Sequence, residues 1–212
     1  MLLAASCAVL HGCVVGALVG GMADSYMDSA KVMRPSEYDG LQNTNFAVLV
    51  STDRSIQAEF PALINRITNR ITAELSIPER TQVMGVVPGP AVLEFQYTNP
   101  DWAAWTYKEI ATEFQVERLI VVDIYDFRLY EPGNVYLWDG RAAARIGVIE
   151  ADGPAPDDFS YTKEIQVTFP DGSGYGPSEI PIGAMQANLS KRLVDRITWL
   201  FYEHEEDYRP KY

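Results

Sequence analysis

A single mixed α/β domain, with a partly antiparallel sheet of about five strands and two to four helices, is the fold class this 212-residue sequence predicts. Three observations predict it. Short apolar runs such as Phe46–Val50 and Leu119–Val122 have the length and composition of buried strands. Other stretches repeat their apolar residues every three or four positions, as helices packed on a sheet do. The two patterns alternate along the chain before giving way to consecutive strands, with no internal repeat.

Composition narrows the function classes. Hydrophobic residues make up 47% and charged residues 22%, ordinary values for a globular chain with a real core. Seventeen Lys and Arg stand against 29 Asp and Glu, a net charge of −12. That balance argues against a nucleic-acid partner, because phosphate backbones require clustered cations. Both cysteines, Cys7 and Cys13, lie in the first thirteen residues and cannot build a disulfide framework. The two histidines, His11 and His204, leave little material for metal or acid–base chemistry. No metal, cofactor or catalytic set is expected.

The amino terminus carries the strongest signal. Leu2–Met22 is apolar or small throughout, apart from Ser6, His11 and the cysteines, and the first basic residue is Lys31. Leu10-His11-Gly12-Cys13 resembles the lipobox of bacterial lipoproteins, with an aliphatic residue three before the cysteine and a small one just before it. The resemblance implies cleavage before Cys13, acylation of its thiol and amino group, and a periplasmic, membrane-anchored address. Residues 1–12 are then a signal segment and 13–45 the lipid anchor and tether. Two other readings of the run stay open. About 20 apolar residues suffice to span a bilayer, although glycines at positions 12, 16, 20 and 21 weaken such a helix. The run also suits a buried amino-terminal helix.

Asp24–Asn45 is polar, mixed in charge and interrupted by Pro35 and Gly40, so it reads as a tether. The folded domain is expected from residue 46 to 212. Phe46–Val50 is its first strand. A helix follows, with Phe60, Leu63, Ile64, Ile67, Ile71 and Leu75 on one stripe and Pro61 in its first turn. Val83–Val87 predicts a second strand, stopped by Pro88-Gly89-Pro90, while Val92–Tyr97 suits strand and helix equally. Thr106 and Glu109 have the spacing of a capping box, so a short helix starts there and feeds the strand Leu119–Tyr130. Glu131-Pro132-Gly133-Asn134 predicts a type II turn and a hairpin to a strand over Val135–Glu150. Phe159–Phe169 alternates as a half-buried strand. A last helix carries Met185, Leu189, Leu193, Ile197, Leu200 and Phe201 on one face.

The segments FAVLV, INRITNRITAEL and EIATEFQVERLIVVDIYDF resemble curli-secretion lipoproteins, lipoprotein activators of penicillin-binding proteins and the amino-terminal domain of the Tol–Pal translocation protein. DRSIQAEFP and WLFYEHEE also resemble uncharacterised bacterial lipoproteins. These resemblances imply a periplasmic α/β fold; taken with the amino-terminal signal and the lack of catalytic motifs, they lead to the expectation of a protein that binds another envelope protein or its own copies. They do not extend to a pore: the hairpin strand sets Arg141 and Arg145 on one face and Ala142 and Ala144 on the other, without a lipid-facing pattern.

Most chemical motifs fail. Asp171-Gly-Ser-Gly-Tyr-Gly176 lies where a dinucleotide loop would, but Pro177 replaces the third glycine. As a calcium loop it lacks the acid at its fifth and twelfth positions, which are Tyr175 and Ile182. His204 sits among four carboxylates, a solvated end rather than a base. Asp123 and Asp126 fall on opposite faces of a strand of period two, which rules out a close acid pair. Asp53 and Arg54 follow the first strand, where α/β sheets commonly bind ligands, though a helix cap explains them equally. Tyr97, Trp102 and Trp105, with Tyr107, surround Asn99-Pro100-Asp101; such an aromatic loop is either core or a partner or glycan platform. The expected function is a non-enzymatic, lipid-anchored envelope protein that binds another protein or its own copies. The alternative is a carboxylate-based envelope enzyme acting on cell-wall glycan, which requires a cleft where Asp53, Asp123 or Asp139 converge.

Overall fold

The computed structural model describes residues 31–207; the apolar segment and the Cys13 acylation site lie outside them. The run at residues 46–50 forms the middle of strand β2 (Asn45–Thr52), and none of its five side chains is more than 1% exposed. A strand buried on both faces reads as a continuous apolar run, which is why it was legible. Strand β2 pairs in parallel with β4 (Arg118–Arg128) and with the short β3 (Gly85–Val86). Antiparallel pairing then adds β5 (Gly140–Glu150) and β6 (Phe159–Phe169), giving the order β3-β2-β4-β5-β6. The domain is the mixed α/β fold expected.

The crossover from β2 to β4 holds α1 (Arg54–Glu59), α2 (Leu63–Leu75), α3 (Pro78–Thr81), α4 (Gly89–Thr98), a 3-10 turn (Trp102–Ala104) and α5 (Tyr107–Phe114); α6 (Ile182–Thr198) follows β6. These are six helices among the described residues, more than the two to four expected. The stripe expected as one helix is two, because Phe60 closes α1 and the chain restarts at Leu63 after Pro61-Ala62. The ambiguous Val92–Tyr97 is helical. The prolines before it start α4 with Pro88 as cap and Pro90 in the first turn, leaving only two residues for β3. The capping box forms: Thr106 N donates to Glu109 Oε2 at 2.8 Å, and Glu109 N donates to Thr106 Oγ1 at 3.2 Å. Gly133 takes φ +88° in the expected turn, where Asn134 N donates to the Glu131 carbonyl.

Helices α2 and α6 bury Ile67, Ile71, Leu75, Leu189, Leu193 and Ile197 completely against one face of the sheet. Helices α4 and α5 cover the other face over β2, the start of β4 and the end of β5, through Val92, Phe95, Ile110 and Ala111 against Ala47, Leu49, Leu119, Val121 and Ile149. Gly147 lets the Phe159 ring lie across β5, since a Cβ there would collide with the ring carbons. Phe159 in turn contacts Tyr107 of α5, with ring centroids 5.1 Å apart.

The tether expectation is corrected from residue 35 onward. Tyr38 and Leu41 are buried in the larger core, and the amides of Glu37 and Tyr38 both donate to the Leu200 carbonyl at 2.9 Å. Two apolar anchors in an otherwise polar stretch are too sparse to show a period. Residues 35–203 form one compact unit. The other contains β1 (Lys31–Arg34) paired antiparallel with β7 (His204–Asp207). There Glu206 is only 7% exposed and accepts from Arg34 Nε at 3.3 Å. His204 is therefore half-buried in a strand rather than a solvated end. Among the described residues no helix is long and apolar enough to cross a membrane.

Candidate functional site

Parallel strands deliver their carboxyl ends to one edge of a sheet, where the loops that follow leave room for a ligand. At the end of β2 the chain leaves the sheet through Val50-Ser51-Thr52. Helices α1 and α2 rise on one side and α4 with the 3-10 turn on the other. Between them is a cleft of about 350 Å³, within the range of small-molecule sites. Pro61, Ile64 and Leu93 supply apolar wall, and the Trp102 and Tyr97 rings stand at its border. Tyr97 is 87% exposed, far beyond what an aromatic in a core shows.

The polar lining consists of amides and hydroxyls: Ser51, Thr52, Gln57, Asn65 and Gln96. Some of these groups are engaged. Thr52 Oγ1 donates to the Ile124 carbonyl at 2.8 Å, and Gln96 Nε2 donates to the Val50 carbonyl at 3.0 Å. Asn65 Oδ1 accepts from Asn69 Nδ2 at 2.9 Å. The side chains of Gln57, Tyr97 and Trp102 make no hydrogen bond to another described residue, and Gln96 Oε1 and Asn65 Nδ2 are likewise unengaged. No lining residue carries a formal charge.

The sequence-derived candidates separate in space. Trp102 and Tyr97 share this cleft, whereas Trp105 lines a shallow groove along α5 and packs edge-on against Phe95, with centroids 5.4 Å apart. Asp53 caps α1: its Oδ1 accepts from the amides of Ser55 and Ile56 at 2.9 Å, and these bonds with the Ser55 hydroxyl hold its carboxyl below the usual range. Asp139 is exposed at the start of β5, its amide bonded to the Leu129 carbonyl. Asp123 lies on the open face of the sheet, accepting from Ser51 Oγ at 3.3 Å; burial, and secondarily the charge of Asp123, raises the Tyr107 phenol. None of the three aspartates lines the cleft.

The opposite-face reading of Asp123 and Asp126 is overturned. A bulge between Ile124 and Asp126 inserts Tyr125, so Asp123 pairs with Arg145 and Asp126 with Ala143, two residues apart on β5. Both aspartates therefore face the same side. Arg141 Nε lies 3.3 Å from Asp126 Oδ2, and Arg145 Nη2 lies 2.9 Å from Glu164 Oε1. A bulge shifts the phase without leaving a mark in composition, so a strict period of two misplaces every residue beyond it. Arg141 and Arg145 do share one face, with Ala142 and Ala144 buried on the other.

A third surface went unremarked in the sequence. Val135, Tyr136 and Leu137, in the loop between β4 and β5, are 64%, 79% and 43% exposed. The loop is held rather than loose. Trp138 behind it stacks on Tyr130 with centroids 4.5 Å apart, its Nε1 donates to the Ile180 carbonyl at 2.8 Å, and its amide donates to the Tyr175 carbonyl at 2.8 Å. The sequence signal is three consecutive apolar residues directly after a Pro-Gly turn, and the strand expected over Val135–Glu150 is corrected: it starts only at Gly140. Among the described residues no cluster of three His, Cys, Asp or Glu could hold a metal ion.

No protein family matches the sequence, and no curated protein matches it. Among solved structures, the chain is similar to a PelC dodecamer from Paraburkholderia phytofirmans, at 9% identity over 82% of this chain and 100% of that one, with a TM-score of 0.47. It is similar to Lipoprotein GNA1162 from Neisseria meningitidis, at 10% identity over 72% of this chain and 96% of that one, TM-score 0.43. It is also similar to protein XCC0632 from Xanthomonas campestris, described as DUF330, at 10% identity over 80% and 91%, TM-score 0.44. These three are not the curli-secretion, penicillin-binding-protein-activating or Tol–Pal proteins that the apolar segments resemble.

Proposed function

We propose that this protein is a non-enzymatic, lipid-anchored component of the bacterial cell envelope, held by acylated Cys13 on the periplasmic face, whose folded unit docks onto another protein or a second copy of itself. The anchor half rests on Leu10-His11-Gly12-Cys13. The docking half rests on one observation: Val135, Tyr136 and Leu137 stand exposed together on a loop that Trp138 holds in place. Single exposed apolar residues are ordinary, but a preorganised run of three presents area that a partner can cover without first ordering the loop. Acidic residues Glu131 and Asp139 flank the run, which favours a protein over an anionic lipid surface.

Two experiments test the halves separately. Cys13→Ala should move the protein from the membrane fraction to the soluble or unprocessed pool; unchanged lipid labelling overturns the anchor. A photo-crosslinking residue at position 136 should capture a discrete adduct in intact cells, and Tyr136→Glu should abolish association. An adduct-free position 136 overturns the docking surface.

The enzyme alternative draws on the shared face of Asp123 and Asp126. Carboxylate chemistry there requires two carboxyl groups free to face a substrate, yet Arg141 Nε lies 3.3 Å from Asp126 Oδ2 and Ser51 Oγ donates to Asp123 at 3.3 Å, so each already has a partner. Asp123→Asn and Asp126→Asn should leave cell-wall glycan turnover unchanged. A loss of hydrolysis in either variant would establish the alternative.

A further inference from the structure

We propose that the cleft at the carboxyl end of β2 is a binding site for a neutral saccharide. The proposal is independent of the docking loop and uses different residues. Three features of the cleft point to that ligand class.

The first is the absence of charge. A phosphorylated or carboxylated ligand brought into about 350 Å³ would lose water without gaining a counter-charge, because Ser51, Thr52, Gln57, Asn65 and Gln96 are all uncharged and the Asp123 carboxylate bonded to Ser51 Oγ would repel it. The second is the supply of unengaged hydrogen-bonding groups. The Gln57 amide, Gln96 Oε1, Asn65 Nδ2, the Tyr97 hydroxyl and Trp102 Nε1 include both donors and acceptors. The Gln57 amide offers a donor and an acceptor side by side, while Gln96 Oε1 accepts and Asn65 Nδ2 donates, a mixed set that matches the adjacent hydroxyls of a sugar ring, each of which is itself both. The third is the pair of aromatic rings at the border. A pyranose has an apolar face of C–H groups carrying slight positive charge, and the negative face of an indole or phenol ring attracts it. Trp102 and Tyr97 line the same cleft as these amides.

An extended peptide fits less well. A peptide adding to β2 needs the strand's free backbone groups, and the Val50 carbonyl on that edge is already bonded by Gln96 Nε2 at 3.0 Å. What the cleft offers instead is side-chain amides and ring faces.

The test uses the full-length chain in a detergent without a sugar headgroup, titrated with chitotetraose, cellotetraose and maltotetraose. Binding is read from tryptophan fluorescence and from amide and side-chain NMR shifts. At least one tetrasaccharide should shift the side-chain amides of Gln57, Asn65 and Gln96 and the Trp102 indole together. Trp102→Ala should weaken that affinity by about tenfold, and Gln57→Ala by several-fold, the worth of a stacked ring and of one hydrogen bond. Gln57 is exposed on α1, so its variant separates lost binding from lost folding. Tyr136→Glu should leave saccharide binding unchanged. The proposal is overturned if none of the three sugars shifts these residues, if the shifts persist undiminished in both cleft variants, or if only a peptide or an acidic saccharide produces them.

Discussion

The two faces of the five-stranded sheet are built from the same strands and solve the burial problem differently. On the face under α2 and α6, side chains from β2, β4, β5 and β6 all enter one core, with Val48, Ile120, Ala142 and Ile146 fully buried. On the other face, α4 and α5 cover β2, the beginning of β4 and the end of β5, and along β4 the smaller core ends near Val121. Beyond that point the strands change chemistry: Asp123, Arg145 and Glu164 lie across three neighbouring strands where the opposite face carries Val122, Ile146 and Ile165. Coverage decides composition here. Where a helix excludes water the strand must be apolar, and where none does, charged side chains pair across the ladder and stay solvated. The cleft lies beside the covered part of this second face, at the end of β2, where the helices over the two faces diverge.

Breaking the larger core should have the greatest effect. Ile67 is fully buried on α2, so Ile67→Asp puts an unpaired charge into the interior and should remove at least about 4 kcal/mol, enough to abolish cooperative unfolding in denaturant. A melting curve like that of the unaltered protein would mean this helix face is not in the core. The smaller core should respond less. Leu119→Ala on β4 should cost about 3 kcal/mol in chemical denaturation, through lost transfer energy and the remaining cavity. A cost below about 1 kcal/mol would show that the second core repacks easily and contributes little.

Alkaline pH loads the larger core in a different way. Burial and a hydrogen bond to Glu150 push the Tyr38 phenol up to about 12 from an ordinary value of 10.0. Its folded value lies above its unfolded one, so the protonated form is the one the fold favours. The stabilisation is fully present below pH 10 and is lost as pH rises from 10 toward 12. Unfolding followed across that window should show falling stability, and Tyr38→Phe should flatten the fall. A Tyr38→Phe profile as steep as the original would assign the loss to other groups. The open face should matter least. Arg145 and Glu164 are both more than half exposed, so a double-mutant cycle on the pair should return less than about 0.5 kcal/mol and shrink with added salt. A coupling above about 1 kcal/mol would mean that this face is covered in the working protein, which would add a second docking surface beside the loop.

Much of the fold was legible wherever a side-chain pattern was dense and local. Phe46–Val50 announced a strand buried on both sides, Thr106 and Glu109 a helix start, Glu131–Asn134 a turn, and Phe159–Phe169 a strand that the structure matches residue for residue. The segments that misled were those whose signal was sparse or whose phase changed. Tyr38 and Leu41 are isolated apolar residues in a polar stretch. Pro61-Ala62 divides a stripe whose spacing continues across the break. Tyr125 is a single inserted residue that moves Asp126 to the other side of its strand.

For the candidate site the division is sharper. Tyr97 and Trp102 could be singled out from the chain, because aromatics crowded around Asn-Pro-Asp are unusual on their own terms. Their common cleft could not, because Gln57 and Asn65 come from α1 and α2 and Gln96 from the far side of β3. By itself the sequence determined the fold class, the net negative charge, the helix start at Thr106, the strand Phe159–Phe169 and the lipobox-like segment before Cys13, since each depends on residues close together in the chain. Only the tertiary structure decided which face of the sheet stays open, where Asp126 points, and which neutral groups gather around Trp102. Those depend on helix placement and on one bulge, and neither is written in the spacing of neighbouring residues.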